Sequence, residues 1–366
     1  MKAFPKLKRI FYSKQVKKIN LRKGLNLFNK FVLVFNTVAA LLLLLACITP
    51  YFTLELFSFL SFLSLIVPYL MLTNIIFFLY WTFKKKKQLF LSFFVLLLGY
   101  FTQVAFVKIF NSNDEIKKED ISLLTFNSHK SMGIRWSRRP NFRNEVIGFI
   151  EKQDADIVCL QEFDDLRTGS QAFREIYPHI YVNRELGQKN RFNVVQAIFS
   201  KYPFVGTGSL SFSETANNAI YADIKIKEDT IRIYNLHLQS LRFRPGMLKR
   251  EEPQRLFKRL DKSIQKQQEQ AILVLEHSQE VNYKKIISGD FNNTQFSSVY
   301  NTIKEEMNDT FLEKGFGLGS TYNIKFLPFR IDFILTDPEI EIKSHKNFDV
   351  RLSDHEPVMA SFRLKE

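Results

Sequence analysis

The sequence predicts an α/β domain carried behind a helical membrane anchor, and three observations carry that prediction. Three apolar runs occupy the first 110 residues. Short β-branched runs then alternate with helix-like stretches over the remainder. Several of those runs end in Asn, Gln, Asp, Glu or His, the pattern of a sheet whose rim holds polar side chains rigidly for chemistry.

The anchor is read from Phe31 to Thr49, Leu56 to Trp81 and Leu89 to Val107. Each approaches the roughly 20 residues that cross about 30 Å of hydrocarbon. The runs are apolar on every face, which favours three spanning helices over buried helices of a soluble core. They start too far from residue 1, and lack the small-residue cleavage site, for a cleaved signal peptide. Of the net charge of +15, +14 lies in residues 1–110 and +1 in residues 111–366. The basicity therefore belongs to the anchor, and the domain behind it lacks the charge footprint of a dedicated nucleic-acid binder. Ten Lys and Arg residues precede the first run, and Lys84 to Lys87 separate the second from the third. Both clusters are expected in the cytoplasm. Three crossings then divide the chain into a basic cytoplasmic arm (1–30), a membrane region (31–110), a linker (111–119) and an extracytoplasmic domain (120–366). The arm needs no role beyond contact with anionic head groups. Cys47 and Cys159 are too differently placed to pair, and no zinc spacing occurs.

Within the domain, Ile121 to Phe126 reads as a strand covered on both faces and delivers Asn127. Pro140 opens a helix over Asn141 to Lys152. Asp156 to Leu160 is the next buried strand and ends in Gln161-Glu162, where the acid is either a rim ligand or an exposed loop charge. Val194 to Ser200, Ala219 to Ile226 and Ile231 to Leu238 follow as strands. The last carries Asn235 and His237 on one face, a position at which a satisfied core histidine is the commoner outcome. Arg242 to Lys266 is a basic helical insert: a solvated face, a patch for an anionic substrate, or a surface for lipid head groups.

Lys284 to Ser288 is a β-branched run stopped by Gly289, leaving Asp290 and Asn292 where a strand yields to a loop. A carboxylate and a carboxamide so spaced suit a hard cation and a phosphate oxygen, or simply close an Asx-type turn. A helix is expected near Ser297 to Glu306, then a glycine-rich loop, Gly315 to Gly319, able to present N–H groups to a phosphate or merely to flex. Asp332 starts a strand in Arg330 to Leu335, and Ser353-Asp354-His355 leads into Val358 to Phe362. An acid beside an imidazole fixes its tautomer and raises its basicity.

Taken in order, Asn127, Gln161-Glu162, Asn235-x-His237, Gly289-Asp290-Phe291-Asn292, Arg330-Ile331-Asp332 and Ser353-Asp354-His355 resemble the motifs of the endonuclease/exonuclease/phosphatase superfamily, over about residues 120 to 364. The resemblance implies a four-layer αββα sandwich with two central, mostly antiparallel sheets. It implies Glu162 as the principal Mg²⁺ ligand, with Asn127 beside it, Asp354 near the metal, and Mn²⁺ as an alternative ion. It further implies that Asp290 orients or deprotonates the attacking water, with Asn292 and His237 on the phosphate oxygens. His355, paired with Asp332, would act as general acid/base or transition-state stabiliser, and Asn235 completes the catalytic set. Where several relatives place an oxygen-bearing side chain two residues after the first Asn, this chain has His129, which puts a second metal position in doubt. The expected activity is hydrolysis of a lipid-linked or envelope phosphoester. A nuclease and a non-catalytic membrane scaffold are the alternatives, and no protein partner is expected.

Overall fold

The computed structural model describes residues 24–51, 60–102, 107–110, 113–129, 142–164, 171–184, 194–213, 215, 217–242, 251–324 and 327–364. The basic arm before Gly24 and residues 243–250 of the basic insert lie outside them.

Among the described residues two helices are long and apolar enough to cross a membrane, α1 (Leu27–Ile48) and α2 (Leu63–Phe83). Helix α3 (Leu89–Thr102) has 14 residues, about 21 Å at 1.5 Å per residue, and falls short of the hydrocarbon thickness. The expected three spans are thus corrected to two qualifying helices. Among the described residues neither a third span nor the orientation built on it is supported. The three helices bury polar groups and expose apolar ones. Asn36 donates to Ser92 Oγ (2.6 Å) and accepts from Trp81 Nε1 (2.9 Å), while Asn74 accepts from Ser92 Oγ (3.2 Å). Phe28, Phe35, Ile76, Phe94 and Phe101 face outward, each more than half exposed.

The remaining chain forms two mixed six-stranded sheets. The first runs in the order β13 (Ile340–Asn347), β14 (Val358–Leu364), β1 (Ile121–Asn127), β2 (Ile157–Asp164), β4 (Val194–Ser200), β3 (His179–Val182). The second runs β5 (Phe204–Ser211), β6 (Asn218–Ile226), β7 (Asp229–His237), β8 (Lys284–Asp290), β12 (Asp332–Thr336), β9 (Asn308–Asp309). A small separate hairpin is made by β10 (Tyr322–Ile324) and β11 (Leu327–Phe329). Each large sheet has one parallel pair, β1 with β2 and β7 with β8, and is otherwise antiparallel. Parallel neighbours require a crossover, and the two crossovers are the helices α4 (Phe142–Gln153) and α5 (Pro253–Gln279).

Leu123, Ile157 and Ile198 of the first sheet meet Ile220, Ile233 and Ile286 of the second in a core buried between them. Val146 and Ile150 of α4 cover the outer face of the first sheet. Ala271 and Val274 of α5, with Val299 and Ile303 of α6 (Ser298–Lys304), cover the outer face of the second. The helix–sheet–sheet–helix order matches expectation. Strands β3, β5 and β13 were not foreseen, and residues 253–266 of the basic insert form the first half of a helix that continues to Gln279.

The helical bundle docks on this sandwich through the first turns of α2. Phe62 and Leu65 pack on Leu241, Leu256, Leu260 and Ile264, and Phe296 inserts among Ala40, Leu43, Val67 and Leu70. Thr294 Oγ1 donates to the Ser64 carbonyl (3.0 Å). The linker is also fastened, since Asp114 pairs with Lys314 at 2.9 Å. In the glycine-rich loop, Gly317 exchanges both backbone hydrogen bonds with Lys108 (2.8 and 2.9 Å). Its N–H is committed to the chain rather than to a phosphate.

Candidate active site

Strand direction gathers the polar residues. In each sheet the parallel pair ends at the same rim, placing Asn127 beside Gln161 and His237 beside Asp290. The antiparallel neighbour β12 starts where β8 ends, so Asp332 lies directly opposite Asp290. His355 enters the same rim just ahead of β14, and Ser353 Oγ latches its loop to the Asn127 carbonyl (2.8 Å).

Local backbone conformation then aims the side chains. Gly289 has φ 128°, and a Cβ there would stand 2.2 Å from the Leu236 carbonyl oxygen, so only glycine lets β8 and β7 close up ahead of Asp290. Glu162 sits where the β2–β4 register shifts, between Leu160 and Phe163, with φ 47°. A bulge in the left-handed region is costly for Glu, and bulges re-aim side chains beside active sites. Asn292 (φ 50°) and His129 (φ 41°) share this conformation at the same rim.

Asp290 is the hub. Its Oδ1 accepts from the Asn292 N–H (2.7 Å), and its Oδ2 accepts from Asn127 Nδ2 (3.0 Å) and Asn292 Nδ2 (3.1 Å). The Nε2 atoms of His237 and His355 both lie 3.7 Å from Oδ2. Burial pushes the Asp290 carboxyl up to about 7, with nearby Asp332 adding to the rise and His355 opposing it. Burial alone would lower His355, but Asp332, whose Oδ2 lies 2.9 Å from Nδ1, and then Asp290 raise it to about 10. For His237 burial prevails over the Glu162 carboxylate 3.8 Å away and lowers the imidazole. Asp290, Asp332 and His355 offer ligand atoms within 4.8 Å of one another, a grouping able to hold a metal ion. On the neighbouring side, Glu162 and Asp354 converge on His129 Nδ1, at 3.6 and 3.5 Å.

Comparison with known proteins identifies the family. A family model described as Endonuclease/Exonuclease/phosphatase family matches residues 124–355, more than half of the sequence. The chain belongs to the endonuclease/exonuclease/phosphatase family. Residues 29–106 match a second model, described as a domain of unknown function (DUF8431). Similar folds include an endonuclease/exonuclease/phosphatase from Beutenbergia cavernae (TM-score 0.51, 16% identity, covering 68% of this chain and 72% of that one). The human Nocturnin catalytic domain is similar at TM-score 0.51 and 15% identity, covering 71% and 98%. A family protein from Bacteroides thetaiotaomicron is similar at TM-score 0.50 and 19% identity, covering 69% and 100%. No curated protein matches the sequence. Members of the family are hydrolases acting on phosphoester bonds.

The rim residues share a cavity with the helical bundle. His129, Glu162, His237, Asp290, Asn292, Asp354 and His355 line one side of a space of about 710 Å³. Phe62, Leu65, Ile66, Tyr69, Leu70 and Thr73 line another. These six recur at three- and four-residue intervals, one stripe of α2 and of the turn leading into it. Sequence reading missed them, because a helix apolar all round hides which stripe is special. Tyr322, whose ring lies 4.9 Å from that of His355, was missed too.

Two expected catalytic residues sit differently. Asn235 is away from the cavity: Nδ2 donates to the Leu160 and Ala197 carbonyls (3.0 Å each), and Oδ1 accepts from Gln161 Nε2 (2.6 Å). It ties the second sheet to the first, and its donors have no hydrogen left for a phosphate. Asn292 lines the cavity, yet both hydrogens of its amide are engaged, one by the Leu238 carbonyl (3.0 Å) and one by Asp290.

Proposed function

We propose that the chain is a membrane-tethered, Mg²⁺-dependent hydrolase of a phosphoester bearing an apolar tail. The observation that carries this reading is the pair of unlike walls around one cavity, carboxylates and imidazoles on the sheet rim facing the apolar stripe of α2. A phosphate at Asp290 and His355 leaves its substituent against Leu65, Ile66 and Leu70. Tethering is supported by the bundle's inverted polarity. Only 39% and 28% of the two apolar stretches are buried, whereas the polar groups are paired inside, the pattern of helices solvated by lipid.

Glu162 and Asp354 converge closely enough to share a cation, and Asn127 adds a carboxamide oxygen at the same rim. Such oxygen donors fit Mg²⁺, and Mn²⁺ as well. Bound there, the ion supplies Lewis-acid charge to the phosphoryl oxygens. Asp290, poised near neutrality, accepts the proton of the attacking water, held in place for it by Asn127 and Asn292. His237, kept neutral by burial, donates from a ring nitrogen to a non-bridging oxygen. His355, held as the cation by Asp332, donates from Nε2 to the charge gathering on the phosphate.

The test is a substrate panel on the full chain in detergent and in vesicles, covering a soluble aryl phosphodiester, phospholipids, DNA and RNA with Mg²⁺. Hydrolysis of a tailed phosphoester is expected. Ile66→Asn should raise its KM about tenfold, the loss of roughly 1.4 kcal/mol of apolar contact, and leave the aryl ester unaffected. Cleavage confined to nucleic acid and falling steeply with salt would overturn the tailed substrate and favour a nuclease.

A further inference from the structure

A second cavity of about 330 Å³ adjoins the first. Arg259, Lys262 and Lys266 of α5 form one wall at spacings of three and four, so a single helix face carries all three. Arg242 closes the space from the segment that follows β7, and Thr215 and Asn217 add neutral hydrogen-bonding groups. Among the described residues no carboxylate lines it. Glu251 pairs with Arg259 at 3.3 Å.

The two cavities are mechanically continuous. Arg242 lines both. The Leu238 carbonyl accepts from Asn217 Nδ2 (2.8 Å) on the basic side and from Asn292 Nδ2 (3.0 Å) on the rim side, and the Leu238 N–H donates to the Asp290 carbonyl (3.0 Å). One residue therefore separates the basic cavity from the residue placed to receive the water's proton. Arg259 is engaged by both Glu251 carboxylate oxygens (3.3 Å each) and by the Leu241 carbonyl (2.8 Å). The cations of Arg242, Lys262 and Lys266 around the same concave space suit a multiply charged anion, planar guanidinium and compact ammonium groups both matching phosphate. The near-neutral charge of the domain as a whole makes this local excess a feature of the cavity.

Resting on the reading of the rim as a phosphoester hydrolase of tailed substrates, we propose that the basic cavity is a second anion subsite. It binds a phosphate monoester on the head group of the same substrate, beyond the bond that is cut. The substrate is then a lipid with at least two phosphates, one hydrolysed at Asp290 and one held by Arg242, Lys262 and Lys266.

The test uses the full chain and the double variant K262Q/K266Q, which keeps long helix-forming side chains and removes two charges. The first arm needs no turnover. In excess chelator the acidic rim repels anions, so binding of inorganic phosphate by calorimetry reports the basic cavity. Binding by the native chain, weakened at least tenfold in the variant, is expected; no binding, or equal binding by both, overturns the subsite. The second arm compares phosphatidylinositol with its phosphate-monoester derivative in phosphatidylcholine vesicles. The variant should raise KM about tenfold for the derivative alone, with aryl phosphodiester turnover unchanged. An equal rise for both lipids, or a rise seen only when a non-substrate anionic lipid is added, assigns the cavity to the bilayer and overturns the proposal. If neither lipid is cut, the tailed-substrate reading fails, while the phosphate titration still decides whether the anion site exists.

Discussion

His345 and His355 enter the same sheet, one on β13 and one just ahead of β14, and each is only 6% exposed. Burial acts on both in the same direction, towards the neutral ring. Their surroundings differ. His345 meets neutral partners, Thr310 Oγ1 at 2.8 Å and Asn347 Oδ1 at 3.1 Å, with the Arg330 cation nearby, and falls to about 4 despite Asp309. His355 meets the Asp332 carboxylate at 2.9 Å and Asp290 at 3.7 Å, and rises to about 10. The pair teaches that depth in the fold does not set the charge of a histidine. The carboxylates at the converging strand ends do.

The largest expected effect is on turnover. His355→Ala should lower kcat on any hydrolysed phosphoester by about 10²–10⁴-fold, the usual worth of a positioned acid or base, with the fold retained. His345→Gln, equally buried and in the same sheet, should leave kcat within about twofold. Steady-state kinetics on the purified full chain measures both. Equal losses for the two variants would break the distinction drawn from their partners.

Much of that distinction was legible in the residue order, because it depends on strand ends. Asn127, Glu162, Asp290 and Asp332 each follow or start an apolar run, and two parallel pairs suffice to bring such ends to one rim. What escaped reading depends on distances between layers. Asn235 shares a face with His237 in sequence, yet the separation of the two sheets, unseen in one strand, turns it into a bridge to the Leu160 and Ala197 carbonyls. The stripe Phe62 to Thr73 is indistinguishable from other apolar helix surface until the sandwich docks on it. His345 was passed over because strand β13 alternates Ile, Glu, Ile, Lys, Ser, His, too polar a series to register as a strand.

The next effect, on stability, sharpens the comparison from the other side. His345 binds its proton more weakly folded than unfolded, so its contribution is complete above about pH 6.5 and is lost as pH falls towards 4. The interval of about 2.5 units corresponds to roughly 3 kcal/mol. Denaturant melts of the native chain should lose about that much between pH 6.5 and 4, and His345→Gln should flatten this part of the profile. An unchanged profile in the variant would show that His345 is not what titrates.

The smallest effect isolates the carboxylate itself. Asp332→Asn keeps the shape of the partner at His355 Nδ1 and removes its charge, so the imidazole should fall from about 10 back towards the ordinary range. Because Asp332 works through His355, the loss in kcat should be about 10–100-fold, typical of a group that orients another. A purely structural role would lower the amount of active protein without moving its pH dependence. Here the alkaline limb of the rate profile should shift to lower pH, since the donor at Nε2 is lost earlier as pH rises. An alkaline limb unmoved in Asp332→Asn would mean that the elevation of His355 comes from elsewhere, from Asp290 at 3.7 Å or from Asp354.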